Sequence, residues 1–223
     1  MTHFRLKITL ESDTTFGRGD GVAGLVDAEV QHDAYGLPYL GGRALKGLLG
    51  AECSDILLAL ERMPGQDLDR WRAAEQRLFG RSGSAGHGQA VMQVSPARLP
   101  ADLRQALARD IYHRRLTRAE VLETVTALRR QTAVNPETGA PQKETLRTMR
   151  VILRGTVFEA PLTFSCEPGA DDLALLAACV KAWRRAGTSR NRGRGRLRAE
   201  LLDDQGRPVT SEYFGEFRKA VQP

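Results

Sequence analysis

The chain is short of the residues that most often build covalent or metal-bound frameworks. Among its 223 residues are three cysteines and four histidines. Cys53, Cys166 and Cys179 stand far apart with no CxxC pair, so neither a disulfide framework nor a zinc ribbon is expected. All three are read as small buried hydrophobes in a reducing compartment. Long apolar runs are also missing, and the first residues alternate instead of forming one, so no membrane partner and a cytoplasmic location are expected. The Arg- and Gly-rich segment from Thr188 to Arg198 matches neither GxxxxGK[ST] nor the GxGxxG fingerprint that follows a first strand, so ATP and dinucleotide folds are poor explanations of it.

Arginine is plentiful. Lysine and arginine number 33 against 27 acids, for a formal charge of +6. That excess is modest, but its placement is not. Between Lys181 and Arg198 lie Arg184, Arg185, Arg190, Arg192, Arg194 and Arg196, with no acid among them. A local field of this kind suits phosphate.

The periodicity predicts an α+β domain with an antiparallel sheet and helices on one side. Phe4, Leu6, Ile8 and Leu10 alternate with polar residues as one wet-faced strand. Glycines at 17, 19, 21 and 24 then impose a loop, and Val26 to Val30 is a short candidate strand. Asp33 opens a turn ending at Gly36. A helix is expected from about residue 43 to 60, its free N–H groups behind Gly41-Gly42 suiting a phosphate. Further helices are expected over 68–79, twice within 99–130 with a break near Leu116-Thr117, and over 173–185. Strands are expected over 91–94, 150–157, 161–166 and 197–201. Residues 131–147, with Asn135-Pro136 to Gly139 as the turn, form an exposed hairpin or arm.

The segment Thr188-Ser-Arg-Asn-Arg-Gly-Arg-Gly-Arg-Leu-Arg198 is the strongest local signal. Gly193 and Gly195 would let the backbone approach a ligand, while Arg190, Arg192, Arg194 and Arg196 offer phosphate donors. A solvated basic turn is the competing reading. Asp27, Glu29, His32 and Asp33 could bind a divalent ion or assist proton transfer, although their spacing matches no standard metal motif. Arg43 and Lys46 could contact phosphate or simply form the polar side of a helix. His87 sits in a Gly- and Ser-rich loop as a further proton-transfer candidate. Phe4, Phe79, Phe158 and Trp183 are read as core residues. Tyr35 and Tyr39 are possible ligand neighbours, but no aromatic stripe of an RNA-stacking strand is present.

Gly24-Leu-Val-Asp27 followed by Gly36-Leu-Pro-Tyr-Leu-Gly-Gly-Arg-Ala-Leu-Lys-Gly47 resembles the N-terminal signature of the RAMP superfamily, especially the small backbone subunit of type III CRISPR effectors. Gly41 to Ala44 replaces the usual Pro-Gly-Ser-Ser, while Leu45-Lys46-Gly47 is retained. Arg77 to Gly80, Thr132 to Gly139 with Gly155 to Phe158, and Gly187 to Gly195 resemble later family segments in order.

The resemblance implies one modified ferredoxin-like, RRM-like domain over 1–223, with insertions, a projecting thumb at 131–149 and an RNA-contact loop at 187–196. It also implies guide RNA, complementary target RNA, neighbouring backbone copies and other effector subunits as partners. By the same resemblance Asp27 is the residue for metal-dependent target cleavage with Mg2+ or Mn2+, holding the ion or orienting the attacking group. RNA contacts fall on Arg43, Lys46, Arg190, Arg192, Arg194 and Arg196. A non-cutting backbone or capping subunit, and a precursor-RNA processing endonuclease, are the alternatives.

Overall fold

The computed structural model describes residues 3–80, 89–142 and 145–222. Strand β1 (His3–Leu10) buries Phe4, Leu6, Ile8 and Leu10 on one face, as the alternation requires. Burying each such side chain is worth about 2 kcal/mol. Helix α1 (Gly42–Glu61) follows, burying Leu45, Leu49, Cys53, Leu57 and Leu60 at helical spacing. Helix α2 (Leu68–Phe79) is capped by the Asp67 carboxylate on the Arg70 N–H and stops at Gly80, where φ is +78°. After the short β2 (Met92–Val94) come α3 (Ala101–Tyr112) and α4 (Arg118–Val125), the latter entered through a Thr117/Glu120 capping box.

Strands β3 (Thr126–Gln131) and β4 (Arg147–Ile152) form a two-stranded antiparallel ribbon with Thr126 opposite Ile152 and Gln131 opposite Arg147. Beyond it the arm continues through a Val134–Pro141 bridge, and the Asn135 side chain accepts the Glu137 N–H at 2.8 Å. Strand β5 (Val157–Phe164), helix α5 (Ala170–Ala182), strand β6 (Leu197–Leu202) and helix α6 (Thr210–Val221) complete the chain.

The main sheet is antiparallel in the order β2-β5-β1-β6. Taking its strands in chain order, the unit is β1-α1-β2-β5-α5-β6, which is the ferredoxin-like arrangement. Helices α3 and α4 and the β3–β4 hairpin are an insertion between the second and third strands. The buried faces of α1, α2, α5 and α6 share one core with the inner face of the sheet. The other face carries Arg5, Lys7, Thr9, Glu159, Thr163, Arg198 and Glu200. It therefore lacks the aromatic platform by which an RRM strand stacks bases.

Several sequence expectations need correction. The strand expected over 150–157 is two strands, because Gly155 (φ +83°) turns the chain between β4 and β5 while donating to the Leu10 carbonyl at 2.7 Å. The second helix of 99–130 stops at Val125, where β3 begins. Residues 26–30 make isolated bridges rather than a strand of their own. Cys166 is exposed, whereas Cys53 and Cys179 are buried. Phe4, Phe158 and Trp183 are core residues as expected, and Phe79 packs against that core partly buried. Among the described residues no helix is long and apolar enough to cross a membrane.

Candidate nucleic-acid interface

The basic loop leaves the end of α5 and folds back on the N-terminal segment. Buried Trp183 fixes its root by donating from Nε1 to the Arg185 carbonyl at 3.0 Å. Thr188 then donates to the Thr15 carbonyl at 2.9 Å, and Gly195 donates to the Asp13 carbonyl at 3.1 Å. Gly195 adopts φ +74°, and a Cβ there would lie 2.1 Å from the Ala186 carbonyl oxygen. Its lack of a side chain therefore lets the loop close on itself, not on a ligand. Gly193, at φ +79°, has nothing within 4 Å of a hypothetical Cβ and faces open space.

Arg190, Arg192 and Arg196 are exposed, while Arg194 is partly buried with a guanidinium nitrogen against the Met149 sulfur. None of the four joins an ion pair among the described residues. Their charge is thus available to an incoming anion. On α1, burial raises the Glu52 carboxyl pKa, Asp55 adds to that, and Arg190 opposes it. That places the basic loop beside the middle of α1.

Beside the loop an open cleft of about 340 Å³ is lined by Phe16, Gly17, Gln31, Ala44, Leu48 and Gly187. It connects the exposed side of the first α1 turns to the basic loop. Gly42 explains how that helix start is seated, since a Cβ would fall 2.1 Å from the Val94 carbonyl oxygen. Gly41 supplies no capping side chain, and Arg43 is exposed in the first turn. Lys46 has a different setting. Its ammonium donates to the Met92 carbonyl at 2.8 Å, joining α1 to β2, and burial lowers its pKa from the ordinary 10.5.

Asp27 is exposed and tied to the hairpin in both directions. Its N–H donates to the Thr148 carbonyl at 2.7 Å, and its Oδ2 accepts the Thr148 N–H at 2.6 Å. Ala28 pairs next with Met149 as a parallel bridge. Since Met149 also meets Arg194, β4 brings the Asp27 loop and the basic loop together. Sequence separation concealed this junction: residues 27, 149 and 194 share no local pattern.

The other early candidates have defined partners. Glu29 is buried against Arg150 at 3.0 Å, which removes it from the exposed donor set. Asp33 caps its turn by accepting the Tyr35 and Leu37 N–H groups at 2.9 and 3.1 Å, as its position before Ala34-Tyr35-Gly36 suggested. The His32 ring lies 3.2 Å from the Asp33 carbonyl oxygen. Tyr35 is exposed, and Tyr39 lies beneath the Arg98 guanidinium at 5.4 Å from the ring centre. His87 lies outside the described residues.

Among the described residues no group of three or more His, Cys, Asp or Glu side chains could cage a metal. A single exposed carboxylate such as Asp27 still fits Mg2+ or Mn2+ held largely by phosphate oxygens and water.

The fold is similar to a chain of a cryo-EM structure of the type III-B Cmr-beta bound to cognate target RNA. The TM-score is 0.61 at 11% identity, covering 96% of this chain and 99% of that one. A chain of the apo-state type III-B Cmr-beta structure gives 0.60 at 12% identity, covering 91% and 98%. No curated protein matches. The family model for the RAMP superfamily matches residues 7–198, nearly the whole folded unit from β1 into β6, and the chain belongs to that superfamily.

Proposed function

We propose that this chain is a guide-RNA-binding backbone subunit of a type III CRISPR effector and that Asp27 serves cleavage of the complementary target RNA. The observation that carries the reading is the convergence on β4 of the exposed Asp27 carboxylate and the Arg194 end of the basic loop. A phosphate backbone lying along Arg43, the cleft beside α1 and Arg190, Arg192 and Arg196 would meet exposed cations on either side of a cleft whose own lining is uncharged. Lys46 would contribute charge from its partly buried position. The hairpin from 126 to 152, which includes the expected 131–149 thumb, would stand beside the target. The similarity in fold to the Cmr-beta chains supports RNA and other effector subunits as partners, and copies of this chain would be neighbours along the guide. Such a complex would work in the cytoplasm.

In the cleavage step the target's 2'-oxygen attacks the adjacent phosphorus and the 5'-oxygen leaves. The products are a 2',3'-cyclic phosphate and a 5'-hydroxyl end. Asp27 is an acceptor, so it orients the 2'-hydroxyl or holds a metal ion. When bound, Mg2+ or Mn2+ would neutralise charge developing on the phosphate. Arg194 and its neighbours hold the backbone in register and need take no proton.

A non-cutting subunit is the second reading, and one observation favours it: an Asp27 oxygen is already used by the Thr148 N–H. Asp27→Asn separates the two, because its amide oxygen still accepts from Thr148 while the carboxylate is lost. Cleavage of guide-complementary RNA by the reconstituted complex, with Mg2+ or Mn2+, should fall at least about hundredfold in this variant with target binding unchanged. Cutting at the original rate would leave Asp27 a structural cap. Cleavage of free repeat RNA by the isolated chain would favour a precursor-processing enzyme instead.

A further inference from the structure

The hairpin is joined to the Asp27 loop by more than the Thr148 contact. Arg150, on β4, is 6% exposed, and its partner Glu29 is 2% exposed. The Arg150 Nε donates to Glu29 Oε2 at 3.1 Å and lies 3.0 Å from Oε1, and its Nη1 donates to the Thr126 hydroxyl at 3.2 Å. Glu29 in turn accepts the N–H of Val30 at 2.8 Å. The backbone of Arg150 is held as well, its N–H donating to the Ala28 carbonyl at 3.0 Å and its carbonyl accepting the Thr15 hydroxyl at 2.8 Å. One residue of β4 thus grips β3, the 28–30 segment and the segment under the basic loop. Asp27 lies directly before that gripped segment.

We infer that the Glu29–Arg150 pair is a positioning device that sets the Asp27 carboxylate relative to the hairpin, so that cutting depends on hairpin placement. The inference deepens the proposed cleavage function and rests on it. Glu29 and Arg150 need not touch RNA. Removing the Arg150 head cuts the side-chain link from Glu29 to β3 and leaves the segment tied to β4 only through backbone bonds at Ala28 and through Thr148. A carboxylate displaced by an ångström from its working position still permits binding of guide and target, but it loses most of its effect on the chemical step. The pair consequently affects the cutting rate at saturating target more than target affinity.

The test uses the reconstituted complex and compares Arg150→Met with Arg77→Met. Arg77 forms another ion pair with a buried acid, Asp172 at 2.9 Å, but joins α2 to α5 far from Asp27 in the fold. Arg77→Met therefore reports the general cost of stranding a buried carboxylate. Arg150→Met should slow single-turnover cutting at saturating target at least about tenfold, with target affinity within about twofold. Its amide hydrogen exchange should quicken over residues 27–30 and 147–150 without quickening over α5. Arg77→Met should leave the cutting rate unchanged and quicken exchange in α2 and α5. Glu29→Gln, which keeps the shape and an acceptor oxygen, should recover much of the rate lost in a Glu29→Ala variant.

Equal slowing in Arg150→Met and Arg77→Met, or exchange unchanged over 27–30, would overturn the inference. Should the original complex fail to cut, the cleavage reading fails on its own. The exchange comparison then decides separately whether the pair holds the Asp27 segment.

Discussion

Two glycines two residues apart in the basic loop should respond very differently to one added methyl group. Gly193→Ala places an alanine at φ +79° with open space around its Cβ. The left-handed conformation costs about 1–2 kcal/mol, partly offset by the lower entropy of the unfolded chain, for a net loss of about 1 kcal/mol. Gly195→Ala carries the same conformational cost at φ +74° and also drives its Cβ to 2.1 Å from the Ala186 carbonyl oxygen. That contact has no flexible side chain to yield. The backbone must move, weakening the Ala186-to-Gly195 and Gly195-to-Asp13 hydrogen bonds of 2.9 and 3.1 Å. At about 1 kcal/mol for each bond the total loss is about 3–4 kcal/mol.

For a domain of this size each kcal/mol lowers the melting temperature by about 2–4 °C. Calorimetry should therefore find a drop of about 2–4 °C for Gly193→Ala and roughly 10 °C for Gly195→Ala. RNA binding adds a second axis. The open side of Gly193 lies between Arg192 and Arg194, where a phosphate would approach, so its alanine variant should bind RNA about tenfold more weakly while staying folded. Equal melting losses in the two variants would refute the steric argument for Gly195. Unchanged RNA affinity in Gly193→Ala would refute a close backbone approach at that position.

Two further outcomes follow from the charges. Arg192→Ala should weaken single-stranded RNA binding for all sequences alike and reduce the slope of log affinity against log salt by about 0.7, as measured by anisotropy titration at several salt concentrations. A loss confined to one RNA sequence would instead imply base reading. Lys46 has its pKa lowered in the fold by burial, so the unfolded chain holds that proton at higher pH than the folded chain does. Unfolding therefore takes up a proton in the window just below the ordinary 10.5, and this residue's contribution to stability rises with pH there. In denaturant titrations at pH 8 and 10, Lys46→Met should lose that rise relative to the original chain; an identical pH dependence would show that the ammonium is not desolvated.

Elements that meet the core were legible because burial imposes period. The alternation of β1 and the helical spacing of α1 and α2 each follow from one apolar face pressed against the sheet. Strand β3 was hidden because its ribbon buries little: Thr126 is buried, whereas Leu128 is 42% exposed and its two neighbouring arginines face solvent. Its composition suits a helix as well as a strand, and pairing with β4 decides. Helix α6 carries its own signal in Tyr213, Phe217 and Val221, spaced by four and packed on the core. The basic loop was visible as composition, but its inward-facing Gly195 was not, because the carbonyl it avoids belongs to a residue brought near only by folding. Asp27 stood out by resemblance, whereas Thr148, Met149 and Arg150 had no local feature marking them as its neighbours.

The distribution of polar groups also argues for how such a domain would hold RNA. A ferredoxin-like sheet has one face free of helices, and in an RRM that face reads bases through exposed aromatics. Here the same face mixes Arg5 and Lys7 with Glu159 and Glu200, and Arg5 lies 3.8 Å from Glu159. Such a surface offers a passing strand neither stacking nor a uniform field. Four arginines that join no ion pair among the described residues, Arg190, Arg192, Arg194 and Arg196, cluster in the loop between α5 and β6, next to the first turns of α1 and the root of the hairpin. Contacts from that rim would fall on phosphates and leave the base edges free. A guide held in this way keeps its Watson–Crick edges for a complementary strand, which is the condition a guide-bearing subunit must satisfy.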